Sequence, residues 1–248
     1  MALRSRLLAL TALMAAGAAH ADTVLVAVAA NFTGTLQALA TGFEQQTGHR
    51  IQQVSGSTGK LYAQIKNGAP FEVLLAADDI VPGQLEQEGL GVAGSRFTYA
   101  VGRLVLWSAR PDLVDKDGAV LSKGGFAHLA VAKPALAPYG QAAMEVLARL
   151  KLKDQLSTKL VEGENIGQTY QFIVTGNAEL GFVARAQVFK DGKLTTGSAW
   201  LVPSLYHVPL RQDVVLLLPG KDRPAAQAFL KYLKGDKARA VMQSFGYE

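Results

Sequence analysis

The sequence predicts an α/β protein whose chain crosses twice between two domains, each built on a mainly parallel sheet with helices on its faces. Three observations predict it. Apolar runs of strand length alternate with segments of helical periodicity, two long β-rich stretches bracket a self-contained α/β middle, and no linker rich in Pro, Gly or Ser divides the chain.

The elements follow in order. "TVLVAVAA" (23–30) is almost wholly apolar, as a strand covered on both faces must be. "NFTGTLQALATGFEQQTG" places Phe32, Leu36, Leu39 and Phe43 at helical spacing and stops at Gly48. "HRIQQVSG" is the next strand, and "VSGSTGKLYAQIKNGAP" (54–70) opens a helix. Ser57 or Thr58 is its N-cap, Leu61 and Ile65 share a face, and Gly68 before Pro70 ends it. "FEVLLAA" (71–77) is a strand, and "SRFTYAVGRLVLWSA" (95–109) is the first long β-rich stretch. In the middle, "FAHLAVAKP" (126–134) leads into the helix "YGQAAMEVLARL", and the helix "NIGQTYQFIVTG" (165–176) into "AELGFVA" (178–184). "YHVPLRQDVVLLLP" (206–219) is the second long β run, and "RPAAQAFLKYLKGDKARAVMQSFGYE" reads as two helices broken near Gly235. Two crossings imply a ligand crevice between the domains, at the carboxyl ends of the strands.

The first residues read as an export signal. Arg4 and Arg6 supply the positive region, Leu7 to Ala19 the apolar run, and Ala19-His20-Ala21 a small-x-small cleavage site. That run is too short to span a bilayer, and no later segment reaches the ~18 uninterrupted apolar residues a membrane helix needs. The expected mature chain begins near Asp22 and is exported and soluble. Cleavage removes two of the 25 basic residues and none of the 20 acidic ones, so the formal net charge falls from +5 to +3. Lys and Arg are scattered without a stripe, which argues against nucleic acid as a partner. There is no cysteine, so disulfides and thiolate metal sites are excluded.

Catalytic constellations are poor. A P-loop needs glycine five positions before Gly59, where Val54 stands, and Ser or Thr after Lys60, where Leu61 stands. His20, His49, His128 and His207 have no metal-ligand spacing, and no G-x-S-x-G elbow exists. Asp78-Asp79 is the best paired carboxylate, and it also suits a helix N-cap. Tyr139 stands alone, which argues against iron capture by a tyrosine pair. What remains is four strand-to-helix junctions: Ala30-Asn31, Ser57-Thr58-Gly59, Pro138-Tyr139-Gly140 and Asn165-Ile166-Gly167. Each is an ordinary cap by itself. Meeting at one point, their backbone N–H groups, with Asn31, Ser57, Thr58 and Tyr139 as neutral donors, would make an anion site without a formal cation. Lys60, Lys133 and Arg185 read as surface charges that could guide an anion inward.

These blocks resemble the periplasmic molybdate-binding proteins of ABC-type uptake systems, within the type II periplasmic binding protein fold. "VAVAANFTGTLQALATGFEQQTGHRI", "GSTGKLYAQIKNGAPFEVLLAADD", "GSRFTYAVGRLVLWS" and "GENIGQTYQFIVTGNAELGFVA" carry the resemblance over essentially the whole mature chain, "QIKNGAPFEVLLAADD" most specifically. It implies two lobes, 22–102 with 208–248 and 103–207, joined by two crossover strands behind a signal peptide at 1–21. It implies ligand positions at Ala30, Asn31, Ser57, Thr58, Tyr139 and the backbone of Ile166. It also implies no catalysis, no cofactor, a monomer, and delivery of molybdate or tungstate to a membrane permease. Two departures stand out. Many members have Ala-Ser where this chain has Ala30-Asn31, and many have a tyrosine closing "GIVY" where this chain has Ala184 in "GFVA". Tyr139 is read as replacing that lost donor, as in the subgroup with Asn at the first position.

The chemistry fits such a ligand. Molybdate is a tetrahedral dianion with acceptor oxygens only, so donors satisfy it, at ~1.5–3 kcal/mol for each hydrogen bond to a charged acceptor. Protonated phosphate carries an O–H that a donor-only site leaves unpaired, sulfate is excluded only by size, and tungstate is nearly isosteric. Ser57 and Thr58 are both candidates for the hydroxyl donor, and Asn31→Ala and Thr58→Ala are each expected to weaken binding with little effect on folding. The competing expectations are a receptor for sulfate or another oxyanion, and an exported α/β hydrolase using Asp78 or His207.

Overall fold

A computed structural model describes residues 21–248, and the expected signal segment lies outside them apart from Ala21. In chain order, β1 (Thr23–Ala29), α1 (Thr33–Thr47), β2 (Arg50–Gly56), α2 (Thr58–Lys66), β3 (Val73–Leu75), α3 (Ile80–Gln87) and β4 (Phe97–Gly102) come first. The middle holds β5 (Leu104–Ser108), α4 (Val120–Lys123), β6 (Leu129–Ala132), α5 (Pro138–Arg149), α6 (Lys153–Leu156), β7 (Leu160–Gly163) and α7 (Ile166–Val174). It continues with β8 (Leu180–Ala184), α8 (Arg185–Val188), the hairpin β9 (Phe189–Lys190) and β10 (Lys193–Leu194), and β11 (Ser198–Leu201). The chain closes with β12 (Leu210–Leu216), α9 (Pro224–Leu233) and α10 (Asp236–Ser244).

The two large sheets share one plan. The first is ordered β2-β1-β3-β12-β4, and the second, read from its far edge, β7-β6-β8-β5-β11. In each, the strand in the fourth position runs against the other four. That strand is β12 in the first sheet and β5 in the second, each the strand on which the chain arrives from the other sheet. The sheets are therefore mixed, and the parallel strand–helix units read from the sequence make up three neighbouring strands of each.

Local sequence explains the elements. Val24, Val26, Ala27 and Val28 of β1 are fully buried because β1 lies between β2 and β3 with α9 on one face and α2 on the other. Gly48 ends α1 in the left-handed region at φ 75°, its N–H bonded to Glu44 O, a conformation that costs a residue with a Cβ.

Three strands differ from expectation. The 71–77 run forms only Val73–Leu75, because the Ala77 N–H leaves the ladder for the Thr58 hydroxyl. The 95–109 run breaks at Arg103, where the chain passes from the first sheet into the second. The 206–219 run shortens to Leu210–Leu216 and lies wholly in the first sheet. Pro203 and Pro209, which have no N–H to give a ladder, keep the return crossing irregular.

Apolar clusters cover both faces of each sheet. The largest runs from the second sheet through Tyr139, Ala137 and Ile166 to Ala29, Ala77 and Leu210 of the first, so the two halves meet on packed side chains.

Candidate functional site

The carboxyl ends of β1, β2 and β3 face helix starts from both halves, and between them lies a small cavity of about 10 Å³. A water-sized sphere needs ~10–15 Å³ on the same measure, so the space left between these walls suits only a compact solute. Ala30, Asn31, Ser57, Thr58, Tyr139 and Ile166 all line it, with Ala29, Gly56, Ala77, Ala137, Pro138 and Asn165. The six positions expected from the sequence are thus brought to one place, although they come from both halves of the chain.

No charged side chain is among the lining residues. The positive potential comes instead from the N-termini of α2, α5 and α7. The amides of Thr58, Tyr139 and Ile166 find no acceptor among the described residues. Asn165 caps α7 by accepting from Gly167 N at 2.9 Å and Gln168 N at 3.0 Å, which leaves the Ile166 N–H as the free donor of that turn. Pro138 occupies the first turn of α5, where the missing N–H costs nothing.

Two polar atoms of the lining residues are buried without a partner, Asn31 Oδ1 and Ser57 Oγ. Native interiors rarely leave such atoms unpaired, so both point to a polar ligand as the missing partner. The Thr58 hydroxyl differs, because its oxygen accepts from Ala77 N at 3.0 Å. The expectation that Thr58→Ala has little effect on folding is therefore revised. Removing that oxygen strands a buried N–H and costs about 1–3 kcal/mol. Ser57→Ala, by contrast, should leave the melting temperature unchanged while weakening ligand binding about tenfold. Paired denaturation and titration of the two variants checks this.

Behind the wall lies a polar group that sequence reading missed. Gln212 of β12 is fully buried and touches Asn31, Tyr99 and Tyr139, while Tyr247 donates to Asn31 O. Nothing in "RQDVVLLLP" marks Gln212 apart from its being polar within a strand. Burial pushes the Tyr139, Tyr99 and Tyr247 hydroxyls well above the usual tyrosine range, so they remain protonated.

The charges singled out from the sequence stand elsewhere. Lys60 pairs with Glu164 at 3.0 Å across the mouth, Lys133 is exposed, and Arg185 lies over the Phe189 ring. Ala184 is buried outside the lining, its N–H held by Gln187 Oε1. Asp78 accepts from Val81 N at 2.8 Å and so tethers the start of α3, while Asp79, the residue flanking the helix, makes no capping bond. His207 Nδ1 bonds to the neighbouring Val208 O. Burial, more than the nearby carboxylates Asp79 and Asp213, raises the Asp78 pKa. The folded state thus holds this proton to higher pH than the unfolded chain, and stability contributed by the neutral form is lost as pH rises through the folded pKa. Asp78→Asn should therefore raise the melting temperature at neutral pH and change it little near pH ~3, below both pKa values.

Residues 24–248 match the bacterial extracellular solute-binding protein family. The chain belongs to that family. Among its relatives, the molybdate-binding protein ModA of Azotobacter vinelandii is 59% identical over 239 residues, covering 96% of this chain and 95% of its own. ModA of Rhodobacter capsulatus is 47% identical over 230 residues, covering 92% of this chain and 89% of its own. The solved structure of the Azotobacter vinelandii periplasmic molybdate-binding protein superposes with a TM-score of 0.88 at 43% identity, over 91% of this chain and 98% of that one. These relatives are transport receptors rather than enzymes, and the hydrolase expectation falls with them.

Proposed function

We propose that the protein is exported through an N-terminal signal, captures molybdate, and tungstate with it, in the cavity between the two sheets, and hands the anion to a membrane ABC permease. The observation that carries this reading is a small cavity whose lining has no charge, three free helix N-termini and the unpartnered Ser57 hydroxyl. Ala30, Asn31, Ser57, Thr58, Tyr139 and Ile166 are the proposed ligand positions. Several pre-aligned donors at ~1.5–3 kcal/mol each offset the desolvation of a dianion. The geometry supports one closed state, with the Gly59 N–H donating to Leu136 O at 3.0 Å across the cleft.

Isothermal titration with molybdate, tungstate, sulfate and phosphate tests the reading. Tight binding of the first two and weak binding of the others is expected, and sulfate binding without molybdate binding would sink the specificity. Because nothing lining the cavity titrates near neutrality, molybdate affinity should be flat between about pH 6 and 9. A steep pH dependence in that window would place a titrating group at the ligand.

A further inference from the structure

Gln212 joins residues from three other segments at one buried point. Its Oε1 accepts from Asn31 Nδ2 at 2.9 Å and from the Tyr99 hydroxyl at 3.1 Å, and its Nε2 donates to the Tyr139 hydroxyl at 3.0 Å. Tyr99 also reaches Ala76 O at 2.9 Å, and Asn31 Nδ2 reaches the Tyr247 hydroxyl at 3.1 Å. In this arrangement Asn31 Oδ1 is the buried atom without a partner, and the Tyr139 proton has no acceptor among the described residues. A bare acceptor on an oxyanion cavity has the wrong polarity.

The opposite arrangement uses the same heavy-atom positions, because the O and NH₂ of an amide exchange places on a half-turn of the terminal torsion. Asn31 cannot turn alone, since its Oδ1 would then face Gln212 Oε1. When both turn, Gln212 Nε2 donates to Asn31 Oδ1 and to the Tyr99 oxygen, whose proton goes to Ala76 O. Gln212 Oε1 takes the Tyr139 proton, and the single Tyr247 proton is shared between Asn31 O and Oδ1. Every contact survives, the Tyr247 one as a shared proton, and the Asn31 NH₂ now stands where the unpartnered Oδ1 stood beside the cavity.

We propose that Gln212 is a positioning residue that sets the polarity of the site: with molybdate bound it holds the Asn31 amide donor-inward, while the Tyr139 hydroxyl donates to Gln212 and Tyr139 serves the anion through its backbone N–H. This rests on the proposed function above. The two side-chain donors exclude each other, because a Tyr139 proton aimed at the anion requires Gln212 Nε2 behind it, and that orientation turns Asn31 Oδ1 inward. The coupling also gives Gln212 a part in specificity. Donor-inward leaves a protonated phosphate without an acceptor, whereas acceptor-inward supplies one.

The experiment is amide NMR of the ¹⁵N-labelled protein with and without sodium molybdate, with the Asn31 pair assigned through its own Cβ, alongside calorimetry of Gln212→Met and Tyr139→Phe. Expected are a downfield shift and exchange protection of the Asn31 side-chain protons on binding, and at least about tenfold weaker molybdate binding in Gln212→Met. The same variant should lose discrimination against phosphate, a change that mere loss of stability would not produce. Tyr139→Phe should weaken binding less than Gln212→Met does. Wild-type binding with stationary Asn31 protons, or unchanged affinity in Gln212→Met, would overturn the coupling alone. No molybdate heat from the wild type would overturn the reading of function and this proposal with it.

Discussion

Asn31→Asp should raise the dissociation constant for molybdate by at least about a thousandfold at neutral pH, with the protein still folded. The substitution keeps the shape of the side chain and replaces its NH₂ with a second carboxylate oxygen. Asn31 is buried and lines the cavity, so the new charge faces the dianion with little water between them. Two like unit charges about 4 Å apart at an effective dielectric of ~20 repel by about 4 kcal/mol, a factor of nearly a thousand before the second charge of molybdate is counted. Asn31→Ala removes the donor without adding charge and should cost only about 10–100-fold. The fold should survive because Gln212, whose Oε1 lies 2.9 Å from Asn31 Nδ2 in the parent, can turn its amide and donate Nε2 to the carboxylate. Acidification should restore part of the affinity of Asn31→Asp, since a protonated carboxyl can again donate. Titration at neutral and mildly acidic pH, with circular dichroism as the folding control, tests both statements. An Asn31→Asp variant that binds as well as Asn31→Ala would show that position 31 does not face the anion.

The parts of this site that were legible in the sequence were those with a local cause. Helix starts announce themselves: Ser57 before an i, i+4 apolar pair, Pro138 at a first turn, and Asn165 at a cap all follow from neighbouring residues. Burial of β1 was equally legible, because a strand covered on both faces must be apolar along its whole length. Gln212, Tyr99 and Tyr247 were not, since their role exists only through contacts between segments far apart in the chain. The length of the second long β run was overread for a related reason, since only Leu210–Leu216 of 206–219 forms a strand. "LRQDVVL" has strand composition, but which sheet it joins depends on its partners β3 and β4. The choice between Ser57 and Thr58 also needed tertiary structure, for only the Ala77 N–H separates a structural hydroxyl from a free one.

Closure itself can be separated from the donors. The first turn of α2 meets the loop before α5 at Gly59, whose N–H bonds to Leu136 O, while Lys60 and Glu164 pair nearby at the surface. The exposed ion pair contributes ~0–1 kcal/mol. The backbone contact demands more, because it requires two main chains to approach without a side chain between them.

Gly59→Val should therefore weaken molybdate binding about 10–100-fold without lowering the stability of the ligand-free protein. A Cβ at position 59 would lie 3.2 Å from Leu136 Cα and 3.2 Å from Leu136 O, tighter than ordinary van der Waals contact, and the valine methyls extend further. These are backbone atoms and cannot swing aside, so the relief available is for the two halves to part. Overpacking of this kind costs about 1–3 kcal/mol, and here the cost falls on the closed state alone. Within α2 the change is favourable, since glycine is the poorest helix former after proline, at ~0.8–1 kcal/mol below alanine, and valine lies between them. Stability of the free protein and affinity for the ligand should thus move in opposite directions, which a general folding defect cannot produce. The loss should appear mainly as faster dissociation, because most affinity differences within one complex reside in the off-rate. Gly59→Ala should show the same signs at smaller amplitude. Small-angle scattering should find the wild type compacting on addition of molybdate and Gly59→Val compacting less. If Gly59→Val bound with parental affinity and compacted fully, the approach of Gly59 to Leu136 would not be part of the bound state.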